Sequence, residues 1–547
     1  LAPEKQVPDT DVIVVGAGPT GLMLANELVL AGVRPTVVEA LLEPTGQSRA
    51  LNLHPRTAEI LDSRGLLEPL QKHPIHLGFL TRSFFAGIPV PLDCGPFGSP
   101  YPQQVGVLQS RVEAMLEKHL GDHGVTVARG SELVGLDQDA DGVTAVVETS
   151  EGQTRLRARY LVACDGSRST VRKLLGLAFP GTDGGPHSRV AADVILARPP
   201  EEWFEEVPEE HRRHLNLLPD VGLTGVITLG KGGRETQFSL VGLEDDIHRL
   251  MFSNPDQPIA RDAPITEQEV RDVLHAVGGP AAELKKLLWS SRFTDACRQI
   301  DRYRVDRVLL AGDAAHIVFP IGGQGMNLGL QDAHNLGWKL AAEVQGRAPA
   351  GLLDTYHDER HPVSARILGS ARAQAALLDR ERDVSALREV LGTLLELPEA
   401  NQHLAGLTSG LSIRYEMVPE GAAEAGAGNG SGPGNGSGHP LVGLRMPDLA
   451  LSVDGAPVRT SQLARSGTGL LLELDGTRRL PAPTPERIDH VVAAVDPTGP
   501  DPDFRAVLVR PDGYVCWAAR DGDDADGRGL AAALTRWFGA PAAPASA

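Results

Sequence analysis

Residues 11–39 confine the start of the chain to very few folds. Asp11–Val15 is a short run rich in β-branched residues, and Gly16-Ala-Gly-Pro-Thr-Gly21 follows it directly. Leu22, Leu24, Ala25, Leu28 and Val29 then recur at helical spacing up to Gly32, and a second β-rich run, Pro35–Val38, ends at Glu39. Strand, glycine turn, helix and strand make one βαβ unit with parallel strands. The spacing carries chemistry. Gly16 permits a tight turn, Gly18 lets the backbone approach a pyrophosphate, and Gly21 lets helix and strand pack closely. Unpaired N–H groups and the positive end of the helix dipole would face the phosphates, with Thr20 in the same turn. Glu39, 23 positions after Gly16, can accept from ribose hydroxyls. The motif alone does not separate an NAD site from an FAD site.

Two further segments do. Leu161-Val-Ala-Cys-Asp-Gly-Ser-Arg-Ser-Thr-Val-Arg172 reads as a strand end, a tight Asp165-Gly166 turn and a helix start. Val308–His316 places Asp313 after another buried strand, expected over Val305–Ala311, and Pro320-Ile-Gly-Gly-Gln-Gly-Met-Asn327 leads into a helix running to about Gln345. Asp313 is placed to bind a ribityl or ribose hydroxyl. Backbone N–H groups of Gly325, Met326 and Asn327 can face an anionic ring edge, which would stabilise negative charge on a reduced flavin.

Strand patterns recur at Thr144–Glu148, Arg159–Ala163, Arg189–Leu196, Val226–Leu229 and Phe238–Val241, and Leu352–Leu404 reads as largely helical. Gly421–Gly438 is a Gly/Ser/Asn tract that cannot bury a face and reads as a flexible loop. Beyond it, strands at Gly469–Leu474, His490–Val495, Ala506–Val509 and Tyr514–Ala518, then a helix at Leu530–Phe538, suggest a separate small α/β domain. The net charge of −19 argues against nucleic-acid and anionic-membrane partners. Four cysteines without a CxxC pair exclude a disulfide framework and thiol redox chemistry, no metal site is indicated, and a reduced, cytoplasmic setting is expected.

GAGPTG with Glu39, CDGSRSTVR, and AGDAAH followed by PIGGQGMN stand in order within about the first 400 residues. Together they resemble the three signature motifs of the class A flavoprotein monooxygenases, the para-hydroxybenzoate-hydroxylase-like family. The closer likeness is to the actinobacterial aromatic polyketide hydroxylases and their rifampicin-monooxygenase relatives, supported by Ser48-Arg-Ala-Leu51 and by Leu353–Pro362. The resemblance implies an α/β protein with a Rossmann-type FAD-binding domain (1–175 and 297–400) and a β-sheet substrate domain (176–296). A helical connection and loop (401–439) would lead to a thioredoxin-like C-terminal domain (440–547). Because Cys516 is that domain's only cysteine, the domain is expected to serve structure or assembly.

The resemblance further implies bound FAD, transient reduction by NADPH (or NADH), and O₂ addition to give a flavin C4a-hydroperoxide. The product would be a hydroxylated polycyclic aromatic polyketide-type phenol. A Baeyer–Villiger-type insertion or inactivation of a rifamycin-type antibiotic is the alternative on the same fold, and a non-catalytic assembly role is the third reading. By likeness, Arg49 reaches the FAD pyrophosphate, Gln109 contacts the cofactor, and Asp165 and Arg168 sit in a turn serving both FAD and nicotinamide. Pro320 lies against the flavin on the substrate side. Ala40 departs from the basic residue frequent after the ribose acid. Arg372 could depress a phenol pKa or be an ordinary solvated arginine, and His54 could relay protons or brace the loop around Arg49. Tyr303 and Cys164 read as core. The apolar residues Val226, Ile227, Leu229, Phe238 and Leu240 suggest an apolar wall for a large planar substrate. A homo-oligomer is possible.

Overall fold

In the computed structural model the βαβ unit forms as expected. Thr10–Val15 pairs in parallel with Pro35–Glu39 on one side and Gly152–Ala163 on the other, with the Pro19–Leu30 helix as crossover. The residues described are 9–72, 83–184, 189–207, 209–212, 215–218, 222–229, 234–244, 246–253, 263–378, 384–417, 438–474, 486–498, 501–523 and 527–539. The expected loop over Gly421–Gly438 therefore lies outside the described residues except for Gly438.

The first sheet runs Arg304–Val305, Val308–Leu310, Gly152–Ala163, Thr10–Val15, Pro35–Glu39, Val127–Arg129, with two antiparallel strands, Glu132–Gln138 and Val143–Thr149, beside Gly152–Ala163. One expectation needs correction. Val305–Ala311 is not one strand: Asp306 has φ 52°, and the chain turns back so that Arg304–Val305 pairs antiparallel with Val308–Leu310. The inner strands are apolar on both faces, as parallel strands covered by helices must be. Between them they bury Val12–Val15, Leu161–Ala163 and Val308–Leu310 with the Pro19–Leu30 and Gln324–Val344 helices.

The second sheet is wholly antiparallel, in the order Leu215–Leu218, Gly222–Leu229, Arg234–Gly242, Ile247–Ser253, Arg189–Leu196, Leu284–Phe293. Its strands alternate between two faces. Val190, Ala192, Val194, Leu223, Phe238, Leu240, Leu250 and Phe252 form one core with Val270, Val273, Leu274 and Val277 of the Glu267–Gly278 helix. The apolar wall expected at Phe238 and Leu240 is thus the back of the sheet, because that helix claims the apolar face. The side chains of Val226, Ile227 and Leu229 lie outside those described.

In the C-terminal part, Gly469–Leu474 and Ile488–Val495 are parallel, and Ala506–Val509 and Val515–Ala519 continue the sheet antiparallel beyond Gly469–Leu474. That order, second-first-third-fourth with a final helix at Arg528–Phe538, is the thioredoxin-like arrangement. All four cysteines are free and buried. Cys516 donates to the Leu508 carbonyl at 3.4 Å, and burial pushes its thiol upward, so it behaves as a small core residue.

The C-terminal sheet seats on the Gln324–Val344 and Thr355–Leu377 helices through buried ions. Arg510 donates to both Glu359 oxygens (2.6 and 2.8 Å) and to Asp512 (2.5 Å), and Lys339 donates to Glu359 (2.7 Å) and Asn335 (2.9 Å). Trp338, Tyr415 and Trp537 surround the Arg510 guanidinium at 5.4, 5.5 and 4.4 Å. Among the described residues no helix is long and apolar enough to cross a membrane.

Candidate functional site

The three glycines of the first turn do three different jobs. Gly16 has φ +102°, and a Cβ there would fall 2.4 Å from the Cys164 carbonyl oxygen. A Cβ at Gly21 would fall 2.0 Å from the Gly16 oxygen, so helix and turn could not close. Gly18 faces open space: nothing lies within 4 Å of where its Cβ would be. It is also the N-cap of the Pro19–Leu30 helix and has no side-chain cap, so the first-turn N–H groups are left for a ligand. Glu39 is held by the same turn, one oxygen accepting from Ala17 N (2.8 Å) and the other from Leu41 N (3.0 Å). Each oxygen keeps capacity for a hydroxyl donor. The Thr20 side chain turns inward, where a Cβ at Gly329 would lie 2.2 Å from its Oγ1.

Asp165 caps the short Thr170–Leu174 helix. Its Oδ2 accepts from Thr170 N (2.7 Å) and Val171 N (3.1 Å), while its Oδ1 is buried with no partner. Burial pushes this carboxyl above its ordinary range, its hydrogen bonds opposing. A buried acceptor left open is an invitation to a ligand donor. Arg168 in this turn is exposed.

Asp313 follows the left-handed Gly312 (φ 58°) and sits deep in the molecule, yet its side chain faces a cleft that solvent reaches. The surrounding protein pushes its carboxyl upward, opposed by His316 and Arg49. Arg49 is exposed. A Cβ on Gly325 would stand 3.9 Å from Asp313 Oδ1, so the Asp313 turn and the next loop share one cleft. In that loop Pro320 is exposed and Gly322 and Gly323 have φ 68° and 72°. Gly323 caps the Gln324–Val344 helix without a side-chain hydrogen bond. The N–H groups of Gly325 and Met326 belong to this uncapped first turn. Asn327 is fully engaged: its Oδ1 accepts from His54 N (2.7 Å), and its Nδ2 donates to Asn52 O (3.1 Å) and Gly323 O (2.9 Å).

His54 bonds the Gly322 carbonyl at 2.7 Å, and burial lowers it to about 4, so it is neutral and donates. It braces the loop rather than relaying protons. Gln109 braces the Arg49 loop in the same way, accepting from Ala50 N at 3.2 Å and donating to Glu113 at 2.8 Å. Arg372 is exposed on the Thr355–Leu377 helix, and its charge is felt at Cys297. Tyr303 and Cys164 are buried core.

Three supports escape a reading of the sequence. Arg172 ties the Asp165 turn to the Asp313 turn, donating to Ser167 O (2.7 Å) and Ala314 O (3.0 Å). Asp332, two turns into the Gln324 helix, accepts from Gly312 N (3.2 Å), His316 Nε2 (2.6 Å) and Arg360 Nε (2.7 Å), fixing the Asp313 turn from both sides. Arg249 on the second sheet pairs with Asp193 (2.5 Å) and donates to the Ser48 carbonyl, next to Arg49. A regular helix and strand pattern hides each of these, because their partners are distant in sequence.

An open glycine cradle, a ribose-type acceptor, the orphaned Asp165 oxygen, the Asp313 carboxyl and a second uncapped helix end lie along the same edge of the first sheet. This donor and acceptor set fits an FAD. A family model described as FAD binding domain matches residues 9–371, and one described as aromatic-ring hydroxylase, C-terminal, matches 439–541. The chain is 43% identical over 538 residues to a 12-dehydrotetracycline 5-monooxygenase/anhydrotetracycline 6-monooxygenase of Streptomyces rimosus, covering 97% of this chain and 99% of that protein. It is 42% identical over 541 residues to a rifampicin monooxygenase of Streptomyces venezuelae, covering 97% and 99%. The solved structure of an anhydrotetracycline hydroxylase from Streptomyces rimosus superposes with a TM-score of 0.81 at 41% identity, covering 97% and 100%. The chain belongs to the FAD-binding aromatic-ring hydroxylases and is an FAD-dependent monooxygenase.

Proposed function

We propose that this enzyme uses NADPH (or NADH) and O₂ to hydroxylate a polycyclic aromatic polyketide-type phenol. The observation that carries the reading is the set of acceptors and helix ends left open along one cleft, on a chain so similar to tetracycline-type monooxygenases. FAD, when bound, would carry two electrons from the nicotinamide to O₂, so that one atom of that O₂ reaches the substrate and the other leaves as water. The protein supplies placement. Gly16, Gly18, Thr20 and Gly21 would cradle the pyrophosphate through backbone N–H groups, Glu39 would accept from the ribose, and Arg49 would neutralise phosphate charge. Asp165 and Asp313 would accept from the nucleotide and ribityl hydroxyls. Gln109 would hold the Arg49 loop. Gly325, Met326 and Asn327 would turn the helix end toward the ring edge, stabilising negative charge there, with Pro320 on the substrate side. Arg372 would act from the rim of the substrate cleft. The domain division proposed is 1–175 with 297–400, then 176–296, 401–439 and 440–547.

The near-equal likeness to a rifampicin monooxygenase favours a second reading, oxygen transfer to a rifamycin-type naphthol. Purified protein supplemented with FAD, given anhydrotetracycline or rifampicin with NADPH, separates the two by which compound accelerates NADPH oxidation and gains 16 mass units. Oxidation of NADPH with no product from any hydroxylated polycycle would sink the hydroxylase reading.

A further inference from the structure

The substrate sheet presents one face to the FAD-binding part, and that face sets charged groups beside the apolar contact of Val241 and Leu243 with Leu51 and Leu108. Along Arg189–Leu196, the residues Val190, Ala192 and Val194 enter the core behind the sheet, so Arg189, Ala191 and Asp193 turn the other way. Asp193 is consumed by Arg249. Arg189 is different. Its guanidinium carbon lies 4.6 Å over the Phe319 ring, one residue before Pro320. Among the described residues it has no hydrogen-bond acceptor and no carboxylate at ion-pair distance. Phe319 packs with Cys297, Leu368 and Ala371 and is edged by Phe293 and Ile321. The guanidinium is therefore a charged cap on a packed apolar cluster beside the Pro320 turn.

A guanidinium stays charged in such a place and has five donors to satisfy. Burial pulls its proton affinity down, with the Asp295 charge opposing. The aromatic face offsets part of the lost hydration but offers no acceptor. Among the described residues no acceptor meets this half-buried guanidinium, so its donors are open to solvent and to the oxygens of a ligand. Neutral carbonyls would serve weakly, and an anionic oxygen beside a second acceptor would take the planar fork bidentately.

We propose that Arg189 recognises an ionised oxygen, a phenolate or enolate, on a planar polycyclic ligand held beside the Pro320 turn. This rests on the polycyclic-phenol reading above and deepens it. Ionisation raises electron density in the ring, so the residue that captures the anion also prepares the ring for oxygen transfer. Among the described residues, the charges felt around the niche are Asp295, at the guanidinium, and Arg372, at Cys297.

The test uses the FAD-loaded full chain with alizarin and alizarin dimethyl ether, two planar probes that differ in ionisable oxygens. The wild type is expected to bind alizarin at least about tenfold more tightly than the ether, as a charge-assisted pair requires. The visible band of bound alizarin should shift to that of its anion. Arg189→Gln should abolish both preference and shift while leaving FAD affinity and the KM for NADPH unchanged. Arg189→Lys should restore the shift with weaker binding, because a point charge replaces a fork. The proposal is overturned if the preference survives in Arg189→Gln, or if that variant raises the KM for NADPH and leaves alizarin binding intact. Equal binding of both probes by the wild type removes Arg189's role and leaves the polycyclic reading standing. Binding of neither probe removes the polycyclic reading and this inference with it.

Discussion

The flavin-side cleft and the seam beneath the C-terminal sheet are built from similar residues and end in opposite states. At the seam, Arg510, Glu359, Asp512 and Lys339 are fully buried and satisfy one another, and Arg510 pulls the Asp512 carboxyl down to about 2 despite its burial. At the cleft, Asp165 Oδ1, the Gly18 helix end and Arg189 have no partner of their own among the described residues. Charges that the chain pairs internally hold domains together. Those it leaves open mark where something else binds.

The largest effect that can test this contrast lies at the seam. Arg510→Met leaves Glu359 and Asp512 buried without their main partner, and chemical denaturation should show a loss of about 3–5 kcal/mol. A change below about 1 kcal/mol would mean that the seam is solvated and the contrast false. The next test is at the cradle. Gly18→Val adds bulk where only a ligand would be met, so FAD-free stability should stay within about 0.5 kcal/mol, whereas FAD affinity, measured by fluorescence quenching, should fall about 100-fold. Gly21→Ala should instead destabilise the FAD-free protein, because its Cβ strikes the Gly16 oxygen. Similar outcomes for the two variants would erase the distinction between open and closed glycines.

The smallest effect concerns pH. The Asp313 carboxyl is raised in the fold, so the native state holds its proton longer than the unfolded chain does. FAD-free stability should fall as pH rises from the ordinary carboxylate value, 3.8, through the raised one, and not recover above it. Asp313→Asn should flatten that segment of the stability–pH curve while weakening FAD binding. An unchanged curve would mean that Asp313 is freely solvated.

Much of the cofactor site was legible because its signals are local. The roles expected of Gly16, Gly18 and Gly21 follow from backbone geometry within six residues, and a Cβ would clash at Gly16 and Gly21 but meet nothing at Gly18. That Cys516 stands alone in the terminal domain is read from the sequence, and the structure adds that it is buried. The Val305–Ala311 run misled, because a turn at Asp306 carries no glycine to announce it. Phe238 and Leu240 misled for a different reason. Alternation along a strand shows that two faces differ, yet it does not say which face meets the substrate.

The sequence by itself determined the βαβ unit, the FAD motifs and their order, since each depends on residues a few positions apart. Only the tertiary structure decided which polar groups stay unpaired. Arg172, Asp332, Arg249 and Arg510 find partners more than 100 positions away or on another helix, whereas Arg189, among the described residues, lies over the Phe319 ring without an acceptor. Whether a buried charge is structural or available to a ligand depends on what three-dimensional packing brings within hydrogen-bond reach, and no local spacing encodes that.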